Sequence, residues 1–506
     1  MTVELGAPGH FLTLEELASV ARDNAQLVFS PEYASRVNDS RALVEKWTAE
    51  GRVMYGVTTG FGILVDKLIS PEEAARLQRN IVLTHSTSVG EPMPADEVRA
   101  VMLMMVQNAG LGYSGIRLET LTLIRLMLNL GLTPRVPRDG SVGYLCVEGH
   151  VAAAMIGEGS IFCQDVWKEA RQALADNLLA PAVLASKEGL TLLNGALSPT
   201  ALAALYLGDL IALARTADVV AAMSLEVLKG TTRAFDKRAM DLKKHPRQAE
   251  TADFVRRMLA DSEIAKKYVG HRLQDALSLR GIAQVHGAVK KTLADARIAV
   301  EAEMNSCCDN PVIIPDGRGD GEALSSCNCD AAHVGLEMDS AAMAATLLAK
   351  MSERRNARLI DGSVSGFPWF LVSKPGLNSG LMIPQYTQAG LLNEMRMLSQ
   401  SAVVDNVPTC GGQEDYVSMG YNAAKKARPL VEKLEYILAI ELLGVYQAHQ
   451  FMDKDLAPSS TSRAVLAEIG KTVPVMTEDM YIHPHIVAVR DIIRSRKINR
   501  LADAVK

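Results

Sequence analysis

Apolar residues recur at three- and four-residue spacing through long proline-free stretches of the second half of the chain, from Gly281 to Met304, Ala331 to Ile360 and Val417 to Met452. That period lines one face of an α-helix, and each stretch exceeds a typical globular helix. No heptad is sustained, so the pattern predicts core helices of a bundle, not a free coiled coil. Two-residue alternation is scarce, and the fold class reads as mostly α with a central bundle of long helices. Before about residue 200 the periodic stretches shorten and glycine interrupts them, as in Tyr55–Gly62 (YGVTTGFG), Gly90–Pro92 and Pro134–Gly143 (PRVPRDGSVG). Such punctuation predicts loops, where functional groups tend to sit. The change of texture divides the chain into an N-terminal helical and loop domain over 1–200 and a helical bundle with a C-terminal helical region over 201–506. The turn-rich stretch Pro315–Glu322 (PDGRGDGE) reads as a surface insertion with no assigned function.

Composition narrows the function classes. The 506 residues are 48% hydrophobic and only 5% aromatic, with 22 methionines, which excludes disorder and suits helices better than a β-sandwich. With 53 basic against 58 acidic residues the net charge is −5, so no broad basic field draws nucleic acid. Seven cysteines, an odd number, argue against a secreted disulfide framework. The opening MTVELGAPGH lacks a basic stretch leading into an apolar one, and Asn194 and Pro199 are expected to break the best membrane candidate. A cytoplasmic protein without membrane or nucleic-acid partner is expected. Cys307-Cys308 and Cys327-x-Cys329 lack the paired spacing of zinc sites, and no H-E-x-x-H, G-x-S-x-G or Walker lysine occurs, so no metal is assigned.

An ordered set of phrases says more. Tyr55-Gly-Val-Thr-Thr-Gly-Phe-Gly62, Tyr113-Ser-Gly-Ile-Arg117, Gly140-Ser-Val-Gly143 and Lys187-Glu-Gly-Leu-Thr-Leu-Leu-Asn-Gly195 come first. Gln274-Asp-Ala-Leu-Ser-Leu-Arg280, Asp309-Asn-Pro311, Ser352-Glu-Arg-Arg355, Leu377-Asn-Ser-Gly380 and Gln413-Glu-Asp415 follow. From about Tyr55 to Met419 the chain thus resembles the histidine ammonia-lyase branch of the aromatic amino acid lyase family. The resemblance implies the histidine ammonia-lyase/fumarase-like helical fold and a homotetramer with active sites shared between subunits. It also implies elimination of an α-amine and a β-proton from an amino acid. The catalytic loop of the fumarase-type enzymes is not visible here.

One departure stands out. Members of the family cyclise an Ala-Ser-Gly triad into an electrophilic methylidene-imidazolone, whereas the loop here reads Gly140-Ser-Val-Gly-Tyr-Leu-Cys-Val-Glu-Gly-His150 and is short by about the length of the triad. Leu277 also replaces the family tyrosine associated with that group. Without the electrophile a free amine leaves poorly, while a quaternary one departs as a neutral tertiary amine. The expectation is therefore a cofactor-independent, ergothionase-type lyase that releases trimethylamine from a histidine-derived betaine to give a urocanate-type acid. The alternatives are another lyase or mutase of the family, or a silent ligand-binding paralogue.

The resemblance assigns roles by position. Tyr55 matches the base for the β-proton; an ordinary phenol, near pKa ~10, needs cationic neighbours to serve near neutrality. Arg280 matches the arginine that grips the substrate carboxylate, a task its guanidinium fork suits. Asn194 falls near that carboxylate and the electrophile, and Asn310 belongs with it. His85 and Glu414 fall where the histidine branch reads the ring, and a carboxylate beside an imidazole suits an azole better than a phenyl group. Glu414 is grouped with Tyr55 as catalytic; His85, Asn194, Arg280, Asn310 and Lys374 are grouped as substrate-binding. Tyr144, Glu148 and His150 of the remodelled loop are candidates for the space the electrophile vacates. Cys329 and Asp330 replace a family Phe-His pair, which implies a reshaped ring pocket.

Overall fold

The computed structural model describes residues 1–503, and these are mostly helical, with short two- and three-stranded sheets. The chain separates into two compact units. The first comprises 1–208, 296–339 and 401–425, and the second 209–295, 340–400 and 426–506.

In the first unit a parallel pair of strands, Thr2–Leu5 with Gln26–Phe29, opens the chain. The helix Leu14–Arg22 between them starts at a capping box of Thr13 and Glu16, which satisfies two otherwise orphaned amides, and it packs on the apolar helix Ala95–Ala109. The helix Pro31–Ala49 and its following loop bury Leu43, Val44, Trp47, Met54 and Val57 against Ile313. Ile313 lies on the hairpin of Val312–Pro315 and Gly321–Leu324, so the stretch read as an idle insertion has a mechanical role. Asp320 at its turn accepts from Trp47 Nε1 at 2.7 Å and from the Arg52 guanidinium at 2.8 Å, pinning the loop that precedes Tyr55.

In the second unit the helices Met382–Leu398, Ala427–Ala448 and His483–Arg494 pack side by side. A fully buried ion pair, Arg355 with Glu441 at 2.5 and 2.9 Å, sits in its core, and Ser224 donates to the same carboxylate at 2.6 Å. His286 links Arg355 to Asp218, whose other oxygen takes Lys290 at 2.7 Å. Each buried charge is therefore partnered, the condition for tolerating it.

Two expected helices appear nearly as read, at Ile282–Met304 and Ala332–Ile360. The third does not start at Val417: Met419 takes a positive φ of 53°, and the segment forms Gly420–Lys425 and Ala427–Ala448. Asn194 does end a helix, Glu188–Leu193, but Pro199 breaks nothing, because it occupies the first turn of Leu197–Val227, where its missing N–H goes unused. The stretch Glu188–Val227 is long and apolar enough by composition to cross a membrane, yet 78% of its most apolar window is buried within the protein, as in a core helix.

Candidate active site

A cavity of about 860 Å³ lies in the first unit, within the size range of small-molecule sites. Tyr55, His85, Tyr144, Asn194, Asn310 and Glu414 all line it.

Hydroxyls of its own loop shape the turn that carries Tyr55. Thr58 Oγ1 accepts from Met54 N and donates to Arg52 O, each at 2.8 Å, and Gly56 N donates to Thr59 Oγ1 at 3.0 Å. Gly56 has φ +65°, and a Cβ there would lie 2.5 Å from Leu190 Cδ2, so only glycine fits. The Tyr55 hydroxyl accepts from Gly62 N at 3.0 Å. Gly62, at φ +54°, is pressed so closely that a Cβ would lie 2.1 Å from the Cys410 sulfur, which brings that thiol beside the phenol. Burial raises the Tyr55 pKa above its ordinary value; the Gly62 N–H opposes this, while Glu414, Cys410 and Cys329 add to it. The cations that a base near neutrality calls for are not among these influences.

His85 ends the helix Pro71–His85. The helix Cys146–Met155 packs on that end so tightly that a Cβ at Gly149 would sit 2.8 Å from the His85 carbonyl oxygen. Burial lowers the imidazole pKa, with Glu414 partly opposing, so the ring is held neutral. Glu414 lies in a tight bridge: Thr409 N donates to its carbonyl at 2.8 Å, and Thr409 Oγ1 donates to its Oε2 at 2.8 Å. Its Oε1 is left toward the cavity.

The floor is built on a buried ion pair. Lys187 Nζ meets Asp309 Oδ2 at 2.7 Å with both side chains fully buried, and Thr191 donates to the same oxygen at 3.1 Å. Asn194 Nδ2 donates to Asp309 Oδ1 at 3.1 Å and to the Asn310 carbonyl at 2.7 Å. Asn310 Oδ1 accepts from Ser326 N at 2.8 Å.

Of the remodelled loop only Tyr144 reaches the cavity, beside Leu145, its ring buried with Val417 and Met419. Burial, with Glu414 next, pushes its hydroxyl pKa well up. Glu148 and His150 do not fill a vacated space, because they lie on the helix and face its packing. Glu148 is fully buried, accepts from Ser198 N at 2.7 Å, and burial raises its pKa to about 7. Burial lowers the pKa of His150. Cys329 lines the cavity with its thiol pushed up to about 12 by burial, but Asp330 is spent on the Ala332 amide at the start of a helix. Arg280 and Lys374 belong to the second unit and do not line this cavity. Arg280 ends the turn Leu277–Arg280, with Gln274 against its guanidinium, and Lys374 is exposed at φ +50°.

Sequence reasoning missed Cys410, Thr409 and the Lys187–Asp309 pair. Lys187 and Asp309 lay inside recognised phrases, whereas nothing local marked Thr409 or Cys410.

The family model of the aromatic amino acid lyases matches residues 12–471. The histidine ammonia-lyase of Caldanaerobacter subterraneus subsp. tengcongensis is 39% identical over 496 residues, covering 97% of each chain. The chain belongs to the aromatic amino acid lyase family. It has the histidine ammonia-lyase fold: the Trypanosoma cruzi histidine ammonia-lyase superposes with TM-score 0.93 at 32% identity over 100% of this chain and 96% of that one. The ergothionase of Treponema denticola, an ergothioneine-degrading enzyme, superposes with TM-score 0.91 at 27% identity over 98% and 99% of the two chains. The expected release of trimethylamine from a histidine betaine is thereby overturned. The relatives with higher identity over nearly the whole chain are named histidine ammonia-lyases, and the ergothionase stands further off. One loop had outweighed the rest of the sequence in that expectation.

Proposed function

We propose that this member of the family is a carbon–nitrogen lyase for an amino acid with an imidazole-type ring, histidine being the substrate class. It would remove the α-amino group and a β-proton to leave an α,β-unsaturated acid. The observation that carries the reading is the gathering of His85, Glu414 and Tyr55 around one cavity, in a chain 39% identical to a histidine ammonia-lyase.

Roles follow from what each group can offer. Glu414 Oε1 accepts a ring N–H, and neutral His85 meets the other side of the ring, so the azole can take up developing charge. Tyr55, as phenolate, takes the β-proton; the C–N bond pair leaves with nitrogen as ammonia. Arg280 holds the carboxylate from another copy of the chain in a homotetramer with shared sites. Seven free thiols suit a reducing compartment, the cytoplasm, and the substrate is a small molecule, with neither membrane nor nucleic acid as partner.

The methylidene-imidazolone does not fit the residues present. Its formation needs a serine to dehydrate between small neighbours, and here stand Tyr144, Leu145 and Cys146, with the Tyr144 ring packed on Val417 and Met419. The reaction is proposed to run without it.

Incubating the full-length protein with L-histidine and following vinyl protons and ammonium by NMR tests the reading. Product from histidine but not from phenylalanine supports it; preference for phenylalanine or tyrosine sinks it. The altered loop favours a second reading, a ligand-binding member without turnover, which saturable histidine binding and no product would select.

A further inference from the structure

The two amides on the cavity floor are not interchangeable. An amide side chain carries two N–H donors on one end and an acceptor oxygen on the other. Asn194 spends both donors on the protein, one on Asp309 Oδ1 at 3.1 Å and one on the Asn310 carbonyl at 2.7 Å. The residue is 6% exposed and lines the cavity, so what it has left to offer there is its Oδ1 acceptor. Asn310 is wired the opposite way. Its Oδ1 is taken by Ser326 N at 2.8 Å, which leaves its Nδ2 donors for the cavity.

Neither polarity can reverse cheaply. Turning the Asn194 amide over would set its oxygen against a carboxylate oxygen and a carbonyl oxygen, and Asp309 is itself locked by Lys187 at 2.7 Å and Thr191 at 3.1 Å. Turning Asn310 would set two donors face to face at Ser326 N. Buried polar groups left so opposed cost far more than a hydrogen bond gains.

We propose that these amides divide the ligand's head group between them: Asn194 accepts from the α-ammonium through Oδ1, and Asn310 donates to the α-carboxylate through Nδ2. Lys187 and Asp309 are the positioning residues that fix this arrangement. Asn194 is thereby moved from the carboxylate, where the family resemblance set it, to the leaving amine. The proposal rests on the amino acid lyase reading and assigns the orientation of the substrate in that site.

Two probes separate the head-group ends: histamine keeps the ammonium and lacks the carboxylate, while imidazolepropionate keeps the carboxylate and lacks the ammonium. Affinities for both are measured by calorimetry on the full-length wild type, Asn194→Ala and Asn310→Ala, with melting curves to check folding. Asn194→Ala should weaken histamine about tenfold or more and leave imidazolepropionate within about twofold; Asn310→Ala should do the reverse. A merely structural role would weaken both probes alike. If Asn194→Ala does not fold, the Asn310→Ala arm decides alone. Equal losses for both probes, or the swapped pattern, overturn the assignment while the lyase reading stands. Failure of the wild type to bind either probe overturns the lyase reading itself, and the assignment with it.

Discussion

At the scale of single residues, the chemistry depends on groups whose ordinary acidities the fold displaces. Tyr55 is pushed upward by burial and by its anionic and thiol neighbours, so its base form grows with pH through the whole neutral range. The expected outcome is a kcat/KM that climbs about tenfold per pH step from 7 toward 10; a plateau below pH 8 would remove Tyr55 from the role. Tyr55→Phe should abolish product while histamine and imidazolepropionate still bind. His85, with its pKa held below 6.5, should cost activity only when protonated on the acid side of that value. Glu148 offers a stability test. Its folded carboxyl keeps a proton up to about 7, whereas an unfolded one loses it near 4.5, so stability falls as pH rises between those values. The loss is on the order of 3 kcal/mol above pH 7. Glu148→Gln keeps an acceptor for Ser198 N and should raise the urea midpoint at pH 8, with the gain shrinking toward pH 5. Tyr55, His85, Asn194, Asn310 and Glu414 were legible in the sequence because each sits in a phrase with fixed neighbours. Cys410 was not, because its place depends on a tertiary approach to Gly62, and Glu148 looked like a site residue until its burial was known.

At the scale of elements, the long helices could be read from their apolar period, and their ends were the weak point. Pro199 misled because a proline in a first turn and one in a helix interior look the same in sequence. The segment carrying Thr409 and Glu414 has no regular period; its anchor is Asp339, in the helix Ala332–Ile360. One carboxylate oxygen of Asp339 accepts from Ser401 Oγ at 2.6 Å, Ala402 N at 2.8 Å and Val403 N at 3.1 Å. Asp339→Ala should speed amide exchange through 401–417 and weaken histidine binding, with exchange in 345–360 unchanged. Equal protection in the two proteins would show that other contacts hold the segment.

At the scale of the whole molecule, the division into two units does not follow chain order, since each draws on three separate stretches of sequence. Texture along the chain separates early loops from late helices but carries no signal for such interleaving, which long-range packing decides. The cavity holds Tyr55, His85 and Glu414 but not Arg280, and the proposed reaction needs a cation for the carboxylate. Light scattering should therefore find a tetramer. Tetramers mixed from Tyr55→Phe and Arg280→Ala subunits should regain part of the activity that each variant lacks alone, and no recovery in mixed tetramers would place Arg280 outside the partner's site.

The most direct measurement is NMR of L-histidine incubated with the full-length wild type, beside Tyr55→Phe, together with the mass of the loop peptide spanning Gly140–His150. The account predicts vinyl signals and ammonium from the wild type, none from Tyr55→Phe, and a peptide of unmodified mass. Histidine left intact by the wild type, or a peptide lighter by two waters, would contradict it.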